Sequence, residues 1–224
     1  MKYFINSMKK FIVLWGLAFV MFGLAVVSIW DTRANNAIVY NESLEETIAT
    51  VQGKPLTLRD FAIYVAYQEA EVESQALVYD DKNTNKYWNI HTNGKFIRYA
   101  ARDAALGMAI HDILFYQLAE DMQLTLTEEE QTYVANDVMD FWTDLVEEEK
   151  EQKLGIQKED VETAYEKMAL AEKAQAIYAE MDSVKYEDYN YGKEAYEHFL
   201  SNYEYTVEDA IADRLRFGNI TLEH

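Results

Sequence analysis

Histidine and carboxylate side chains are the groups most able to do chemistry in this sequence, and their spacing matches no catalytic pattern. The histidines are His91, His111, His198 and His224. Neither His-Glu-x-x-His nor Glu-x-x-His occurs, so zinc-protease and di-iron sites lack their ligand motifs. There is no Cys, which excludes disulfides, thiolate nucleophiles and zinc–thiolate sites. We therefore predict no catalytic residues, no metal site and no cofactor.

Three weaker patterns have structural explanations. Glu194 and His198 stand four residues apart, and a surface ion pair on one helix face explains that spacing more readily than a metal site. His111 precedes Asp112 in an apolar helical segment, which favours a partly buried, hydrogen-bonded histidine. Residues 80–85 resemble a calcium-binding loop, but the glycine and the closing glutamate are missing.

Aromatic side chains are the remaining candidates for a binding role. Tyrosine is abundant, with 17 residues, and its apolar ring with a polar tip suits contact with extended peptides. The same rings would equally fill the core of a domain that binds nothing. The candidate peptide-binding residues are Phe61, Tyr64, Tyr87, Trp88, Phe141 and Trp142.

The charge balance excludes one class of partner. The 224 residues include 40 acidic and 20 basic side chains, a formal net charge of −20. Such a surface repels phosphate backbones, so we predict that the protein does not bind nucleic acid. Basic polypeptides remain suitable partners. The length is enough for one domain with an ordinary core, with room for an appendage.

An uncharged N-terminal stretch, 11–30, predicts a membrane span. A helix of this length crosses roughly 30 Å, the thickness of a bilayer's hydrocarbon core. Lys2, Lys9 and Lys10 precede the stretch, and Asp31 is the first charge after it. The positive-inside rule therefore places the N-terminus in the cytoplasm and the bulk of the chain outside.

The same stretch admits two interpretations, a retained anchor and a cleaved signal. Cleaved signals usually have a shorter apolar region and small residues before the cut. Here the run is long and ends in Ile29 and Trp30. The sequence therefore favours a single-pass anchor formed by 1–30 in the cell membrane. The protein would be secreted if the signal were cleaved.

A polar linker, 31–47, is predicted between this anchor and the folded domain. Residues 48–51 are apolar and β-like, and 52–55 contain the Gly and Pro of a turn. Thr57 then has the features of a helix N-cap, with Asp60 placed to complete a capping box. The domain is expected to open with a short β-like segment and a capped helix.

Four long helices are predicted from apolar residues that recur every three or four positions. In the first helix, Glu69, Glu71 and Glu73 fall mostly outside the apolar stripe. Thr127 caps the third helix, and Gly155 is expected to follow its end. The predicted helices cover 58–78, 95–122, 128–153 and 158–181.

The intervening segment 79–94 lacks this periodicity, and we interpret it as an ordered loop pinned by Tyr87 and Trp88. The fold class is therefore mainly α. We expect a helical domain over 48–183, followed by a C-terminal helical extension over 184–224.

Three segments of this chain stand out by their order and spacing: 50–61 (TVQGKPLTLRDF), 124–130 (LTLTEEE) and 154–161 (LGIQKEDV). The first is the strand, turn and capped helix, and the other two are the starts of the third and fourth helices. Together they resemble the chaperone domain of SurA/PrsA-type foldases, and the resemblance extends over 48–205. Gln52 stands where the family often has Asn, and Gln157 replaces the usual capping hydroxyl.

This resemblance implies a bundle of about four to six helices, outside the cytoplasm, with a binding surface for unfolded polypeptide between helices. In the family this domain is often followed by a parvulin prolyl-isomerase domain. Residues 195–205 resemble the helix that precedes such a domain, and 212–220 would be its first strand. Local capping signals at Thr206 and Gly218 instead favour a short helix, so helix and strand both stay open for 207–221.

The leading functional expectation is a membrane-anchored chaperone or foldase-like protein of the bacterial envelope that binds unfolded or translocated polypeptides. One alternative is a scaffolding module that binds a folded envelope partner. Another is the N-terminal portion of a parvulin-type peptidyl-prolyl isomerase. The sequence contains no parvulin active-site loop, so we predict no isomerase activity from these residues.

Overall fold

The computed structural model describes residues 37–223, and most of these lie in helices. The helices are α1 (Leu58–Tyr79), α2 (Asn85–Trp88), α3 (Ile97–Asp121), α4 (Glu128–Glu147), α5 (Lys150–Leu154), α6 (Lys158–Met181), α7 (Glu194–Leu200) and α8 (Asp209–Ala212). The strands are β1 (Thr47–Val51), β2 (Lys54–Thr57), β3 (His91–Thr92), β4 (Lys95–Phe96) and β5 (Tyr205–Val207). The mainly α fold class predicted from the sequence is confirmed.

The predicted membrane span, 11–30, lies outside the described residues. Within residues 37–223, none of the helices is both long and apolar enough to cross a bilayer. The end of the predicted linker is ordered against the domain, because Tyr40 is buried and its hydroxyl donates to the Leu58 carbonyl at 2.6 Å.

The small sheet forms around the hairpin that the sequence predicts. Strands β1 and β2 are antiparallel, and the turn between them places Gln52 and Gly53 at φ values of 50° and 76°. Positive φ at both central residues matches the twist of a hairpin and explains the glycine. Strand β5 pairs with the other edge of β1, which gives the order β2-β1-β5.

Capping boxes fix where the long helices begin. The Thr57 hydroxyl accepts from the Asp60 amide at 3.2 Å, and the Asp60 carboxylate accepts from the Thr57 amide in return. Thr127 and Glu130 form the same reciprocal pair at the start of α4. Both boxes satisfy backbone amides that the helix itself leaves unbonded, and both confirm the sequence prediction.

Helix α3 is the centre of the bundle, because it packs along α1 on one side and α6 on the other. Fully buried alanines, such as Ala105 on α3 and Ala174 on α6, allow these helices to approach closely. One apolar cluster gathers around Phe61 and the other around Phe115. Helix α4 packs against α6 and buries only a narrow stripe.

The predicted third helix is wrong in one respect, because it is interrupted. Helix α4 ends at Glu147, and Glu149 takes a left-handed conformation with φ 54° before α5 begins. Three consecutive glutamates, 147–149, meet the negative end of the α4 dipole, which disfavours continuation. Gly155 ends α5 with φ 70°, as predicted for a C-cap.

The C-terminal region differs from the favoured prediction of a helix over 206–218. Residues 205–207 form the strand β5, and the helix that follows is only the four residues of α8. The strand wins because β1 offers it an open edge, a partner far away in the sequence. Segment 79–94 likewise contains the short helix α2 and the β3–β4 hairpin, where a loop was expected.

Residues 213–223, which we call the C-terminal segment, are held by a buried carboxylate. Glu69 is fully buried, although the sequence pattern placed it mostly outside the apolar stripe. Its oxygens accept from the amides of Gly218 (2.5 Å), Ile220 (3.2 Å) and Thr221 (2.7 Å), and from the Thr221 hydroxyl (2.6 Å). Burial raises the pKa of Glu69, and these four hydrogen bonds oppose that shift.

The lowered pKa of a second carboxylate, Glu130, predicts that the stability of the protein depends on pH. The Glu130 carboxylate accepts hydrogen bonds from the Lys173 ammonium at 2.8 Å and from the Thr127 amide. The bond from Lys173, and then the bond from Thr127, lower the pKa of Glu130 from 4.5 to about 2. A lowered folded-state pKa stabilises the protein above pH 4.5, and that stabilisation is lost as the pH falls from 4.5 to about 2.

We therefore expect Glu130→Gln to be less stable than the wild type at neutral pH, with the gap closing below pH 4.5. Glutamine can still serve in the capping box, so the comparison isolates the charge. Denaturant unfolding of both proteins across this pH range measures the gap. A gap that stays constant with pH would contradict the role assigned to the Glu130–Lys173 pair.

Candidate functional site

An open cleft of ≈ 300 Å³ lies between β2, α1, α3 and α6. Its volume is at the lower end of the range for ligand pockets. The lining combines apolar side chains with charged and hydroxyl groups. The lining residues are Lys54, Pro55, Leu56, Arg59, Asp60, Tyr64, Asp112, Ile113, Tyr116, Gln117, Asp160, Thr163, Ala164, Lys167 and Met168.

Helical spacing brings these residues to one surface. On α6 the lining positions are 160, 163, 164, 167 and 168, which share one helix face. On α3 they are 112, 113, 116 and 117, again one face. The capping box at Thr57 starts α1 directly after β2, so the first turns of α1 close the cleft beside the strand.

Each basic side chain of the cleft forms an ion pair with at least one carboxylate. Three basic residues reach the cleft in a chain whose net charge is −20. Each is partly exposed and bound to a carboxylate, so each pair contributes little net stability. A ligand can therefore replace one partner at low cost. The pairs are Lys54 with Glu120 (2.7 Å), Arg59 with Glu45 (2.8 Å) and with Asp160 (3.4 Å), and Lys167 with Asp60 (3.8 Å).

A chain of hydrogen bonds runs from the cleft into the core. The Tyr64 hydroxyl donates to one oxygen of Asp112 at 3.0 Å, and the other oxygen lies 2.7 Å from Nδ1 of His111. Nε2 of His111 lies 3.0 Å from the Tyr189 carbonyl. Both ring nitrogens are engaged and the side chain is buried, which confirms the interpretation of His111 as a hydrogen-bonded core histidine.

The two tyrosines of the cleft are neutral hydrogen-bonding groups. Burial, and then the Asp112 carboxylate, raise the pKa of Tyr64 well above its usual value. Burial and the neighbouring Glu120 raise the pKa of Tyr116 in the same way. The hydrogen bond from Lys54 lowers the pKa of Glu120, so this carboxylate stays charged. The cleft thus offers apolar surface, hydroxyls and paired charges, a combination suited to binding.

One of the six predicted peptide-binding residues, Tyr64, lines the cleft. Phe61 lies beneath it, fully buried, with its ring stacked at 6.3 Å from that of Tyr64 and 6.4 Å from that of Phe217. Phe61 therefore supports the floor of the cleft from the core. The peptide-binding role of Tyr64 stays a prediction.

The other four residues lie outside the cleft. Trp88 is fully buried, donates to Glu73 at 2.8 Å and packs where a Cβ on Gly218 would collide with its ring. Tyr87 is partly buried and donates to Gln75 at 2.9 Å. Trp88 thus serves to hold the C-terminal segment.

Phe141 and Trp142 belong to α4 and are half-buried against the first core cluster. The Phe141 ring lies 5.5 Å from that of Tyr165 on α6. These contacts attach α4 to the bundle. All six predicted candidates belong to the first core cluster or pack against it, and among them only Tyr64 lines the cleft.

Six of the residues that line the cleft are charged, and the sequence analysis selected none of the six as a candidate. Arg59, Asp160 and Lys167 line the cleft, and the helix-start segments that contain Arg59 and Asp160 indicate capping, not binding. The recurring positions on α3 and α6 were the available signal, but that signal also describes an ordinary core face. The lining faces of α3 and α6 border a cleft only because the fold places them beside β2 and α1.

Within residues 37–223, no group of three or more acidic or histidine side chains is placed to hold a metal ion. No protein-family model, curated protein or solved structure matches the chain. Its function is therefore inferred from the geometry of the site, and the resemblance to SurA/PrsA-type foldases stays a prediction.

Proposed function

We propose that this protein is a chaperone-like protein that holds an extended segment of unfolded or translocated polypeptide in the cleft. The observation that carries this proposal is the open ≈ 300 Å³ cleft, lined by side chains of both polarities and bordered by a strand. A cavity of that size admits a few side chains of an extended chain but no folded domain. Its apolar floor includes Met168, whose flexible side chain adapts to varied partners.

The strand β2 supports an extended ligand. It is an edge strand, and Lys54, Pro55 and Leu56 line the cleft. Edge strands can accept a further strand from a bound peptide. Pro55 has no N–H, so the edge is limited, and most of the affinity must come from side chains entering the cleft.

The paired charges of the cleft also suit unfolded chains. A bound peptide can present a carboxylate to Arg59 or Lys167, or an ammonium to Asp60, by exchanging one exposed ion pair for another. Because the exchange is possible with either sign, the cleft favours no single sequence. Broad recognition of this kind is what a polypeptide-holding protein needs.

The proposed cellular setting rests on the N-terminal sequence. We propose that 11–30 anchors the protein in the cell membrane, with the described domain on the extracytoplasmic side. This anchor would place the cleft where exported chains emerge. Protease accessibility of the domain in intact and permeabilised cells tests this topology.

Suppression of aggregation tests the proposed function. The full chain is expected to reduce, in proportion to its concentration, the aggregation of two unrelated unfolded proteins, such as reduced α-lactalbumin and heat-unfolded citrate synthase. The same two proteins in their folded state serve as controls and should not bind. No effect at a molar excess of the full chain would contradict the proposal. Selective binding to one folded envelope protein would support the scaffolding alternative.

A further inference from the structure

A second cavity, of ≈ 350 Å³, lies between α3, α7, α8 and β5, and it shares no lining residue with the cleft. Its floor is apolar, with Leu106 and Ile110 from α3, Leu200 from α7 and Val207 from β5. Three tyrosines line it, and we call it the tyrosine cavity. These are Tyr191, Tyr196 and Tyr205.

One of the three tyrosines is buried in the wall of the tyrosine cavity, and the other two lie at its rim. Tyr196 is fully buried, while Tyr191 and Tyr205 are 42% and 44% exposed. The rings of Tyr191 and Tyr196 meet edge to face, with centroids 6.3 Å apart. Gly107 allows this arrangement, because a Cβ there would overlap the Tyr191 ring. The Tyr196 hydroxyl is buried and makes no hydrogen bond with any residue of 37–223.

The charges of the tyrosine cavity favour a cation. Asp103, Glu197 and Asp209 line it together with Arg102. The Arg102 guanidinium is already bound, to Asp103 at 3.0 Å, to Asp213 at 2.9 Å and to the Ala212 carbonyl at 3.3 Å. Within residues 37–223, neither Glu197 nor Asp209 forms an ion pair. An anion would therefore meet two uncompensated carboxylates and an occupied arginine.

We propose that the tyrosine cavity binds an alkylammonium group. Tyrosine faces and carboxylates attract a cation, and the aliphatic floor accepts the carbon chain that carries it. Burial raises the pKa of Tyr196, so its hydroxyl stays neutral beside such a cation. The group can come from two sources, the lysine side chain of a polypeptide or a free amine. This inference is independent of the function proposed for the cleft.

Pairs of charged and neutral probes test the proposal. Calorimetric titration of the full chain compares choline with its neutral isostere 3,3-dimethylbutan-1-ol, and Nα-acetyl-lysine amide with its Nε-acetylated form. We expect the cation of at least one pair to bind about ten-fold more tightly than its neutral counterpart. Binding of choline points to a small free alkylammonium ion, and binding of the lysine probe alone points to a polypeptide. Equal binding within both pairs, or no binding of either cation, would overturn the proposal.

Two variants locate the bound cation. Tyr191→Leu keeps apolar bulk but removes the aromatic face, and Glu197→Gln removes one carboxylate. Each should weaken binding of the cation about three- to five-fold, the scale of one exposed charge or ring contact. The matched controls are Tyr133→Leu, an exposed tyrosine of α4, and Glu194→Gln, an exposed acid of α7, and both should bind like the wild type. Unchanged affinity in Tyr191→Leu and Glu197→Gln would show that the cation binds elsewhere and would overturn the assignment.

Discussion

Replacing Glu69 by Ala is expected to destabilise the protein by about 3–5 kcal/mol, a large part of the unfolding free energy of an ordinary domain. The carboxylate is fully buried and accepts four hydrogen bonds from the C-terminal segment. Without this carboxylate, the amides of Gly218 and Thr221 have no hydrogen-bond acceptor, and a cavity is left between the C-terminal segment and α1. Of the substitutions considered, we expect this one to have the largest effect on stability.

The measurement is denaturant unfolding, combined with hydrogen exchange of the Gly218 and Thr221 amides. Glu71→Ala is the matched control, because Glu71 lies on the same helix with its side chain exposed. That control should change stability by no more than about 0.5 kcal/mol. If Glu69→Ala unfolds like Glu71→Ala, or if both amides stay protected, Glu69 does not hold the C-terminal segment.

Glu69→Gln separates the charge from the shape. The amide keeps one acceptor but turns a donor toward N–H or O–H groups that also donate. We expect a loss of stability between those of the control and of Glu69→Ala, and partial loss of amide protection. A stability equal to that of the wild type would mean that the carboxylate charge adds nothing to the contact.

Local signals explain why so much of the fold could be predicted from the sequence. The capping boxes at Thr57 and Thr127 involve residues three apart, and the turn at Gln52 and Gly53 involves neighbours. Each of these signals lies within a few consecutive residues. Gly155 ends α5 for the same local reason. The starts of three of the four long helices were therefore predicted correctly, whereas α3 has no side-chain cap and begins at Ile97, two residues after the predicted start.

The errors share a different origin, since each depends on a partner distant in sequence. Glu69 is an acid on a helix with apolar neighbours, and only the backbone of residues 218–221 explains its burial. The strand β5 forms because β1 has an open edge about 155 residues earlier in the chain. In both cases, the residue spacing of one segment does not indicate which distant segment it will contact.

The candidate site was predictable only in part, for a related reason. Tyr64 was selected as an aromatic on a helix, and it does line the cleft. Trp88 was selected as an aromatic residue of a predicted loop, but it packs against the C-terminal segment. Residue type alone does not distinguish a ring that fills the core from one that borders a cavity. The lining charges, such as Arg59 and Lys167, become recognisable only when four elements are assembled.

Filling the cleft should abolish peptide binding while leaving the fold intact. Thr163 lies at the surface of α6, lines the cleft, and donates its hydroxyl to the Glu159 carbonyl at 2.8 Å. Thr163→Trp places a large ring in the cavity without disturbing a buried contact. Because the cavity is only ≈ 300 Å³, the ring competes directly with a bound side chain. We expect at least about a ten-fold loss of affinity, equal to roughly 1.4 kcal/mol.

The chain provides a closely matched control. Thr132 lies on the surface of α4 and donates its hydroxyl to the Glu128 carbonyl at the same 2.8 Å, but it does not line the cleft. Thr132→Trp adds the same exposed apolar ring to the protein. Any general effect of that ring on folding or on surface stickiness therefore appears in both variants.

The most direct measurement is the affinity of the full chain for a labelled, unstructured peptide in which single Leu residues are separated by irregular runs of Gly and Ser, followed by fluorescence anisotropy. The peptide carries no lysine and its N-terminus is acylated by the label, so it has no ammonium group that the tyrosine cavity could bind. The cleft account predicts that the wild type and Thr132→Trp bind with the same affinity and that Thr163→Trp loses binding. Equal binding by all three folded proteins would contradict it.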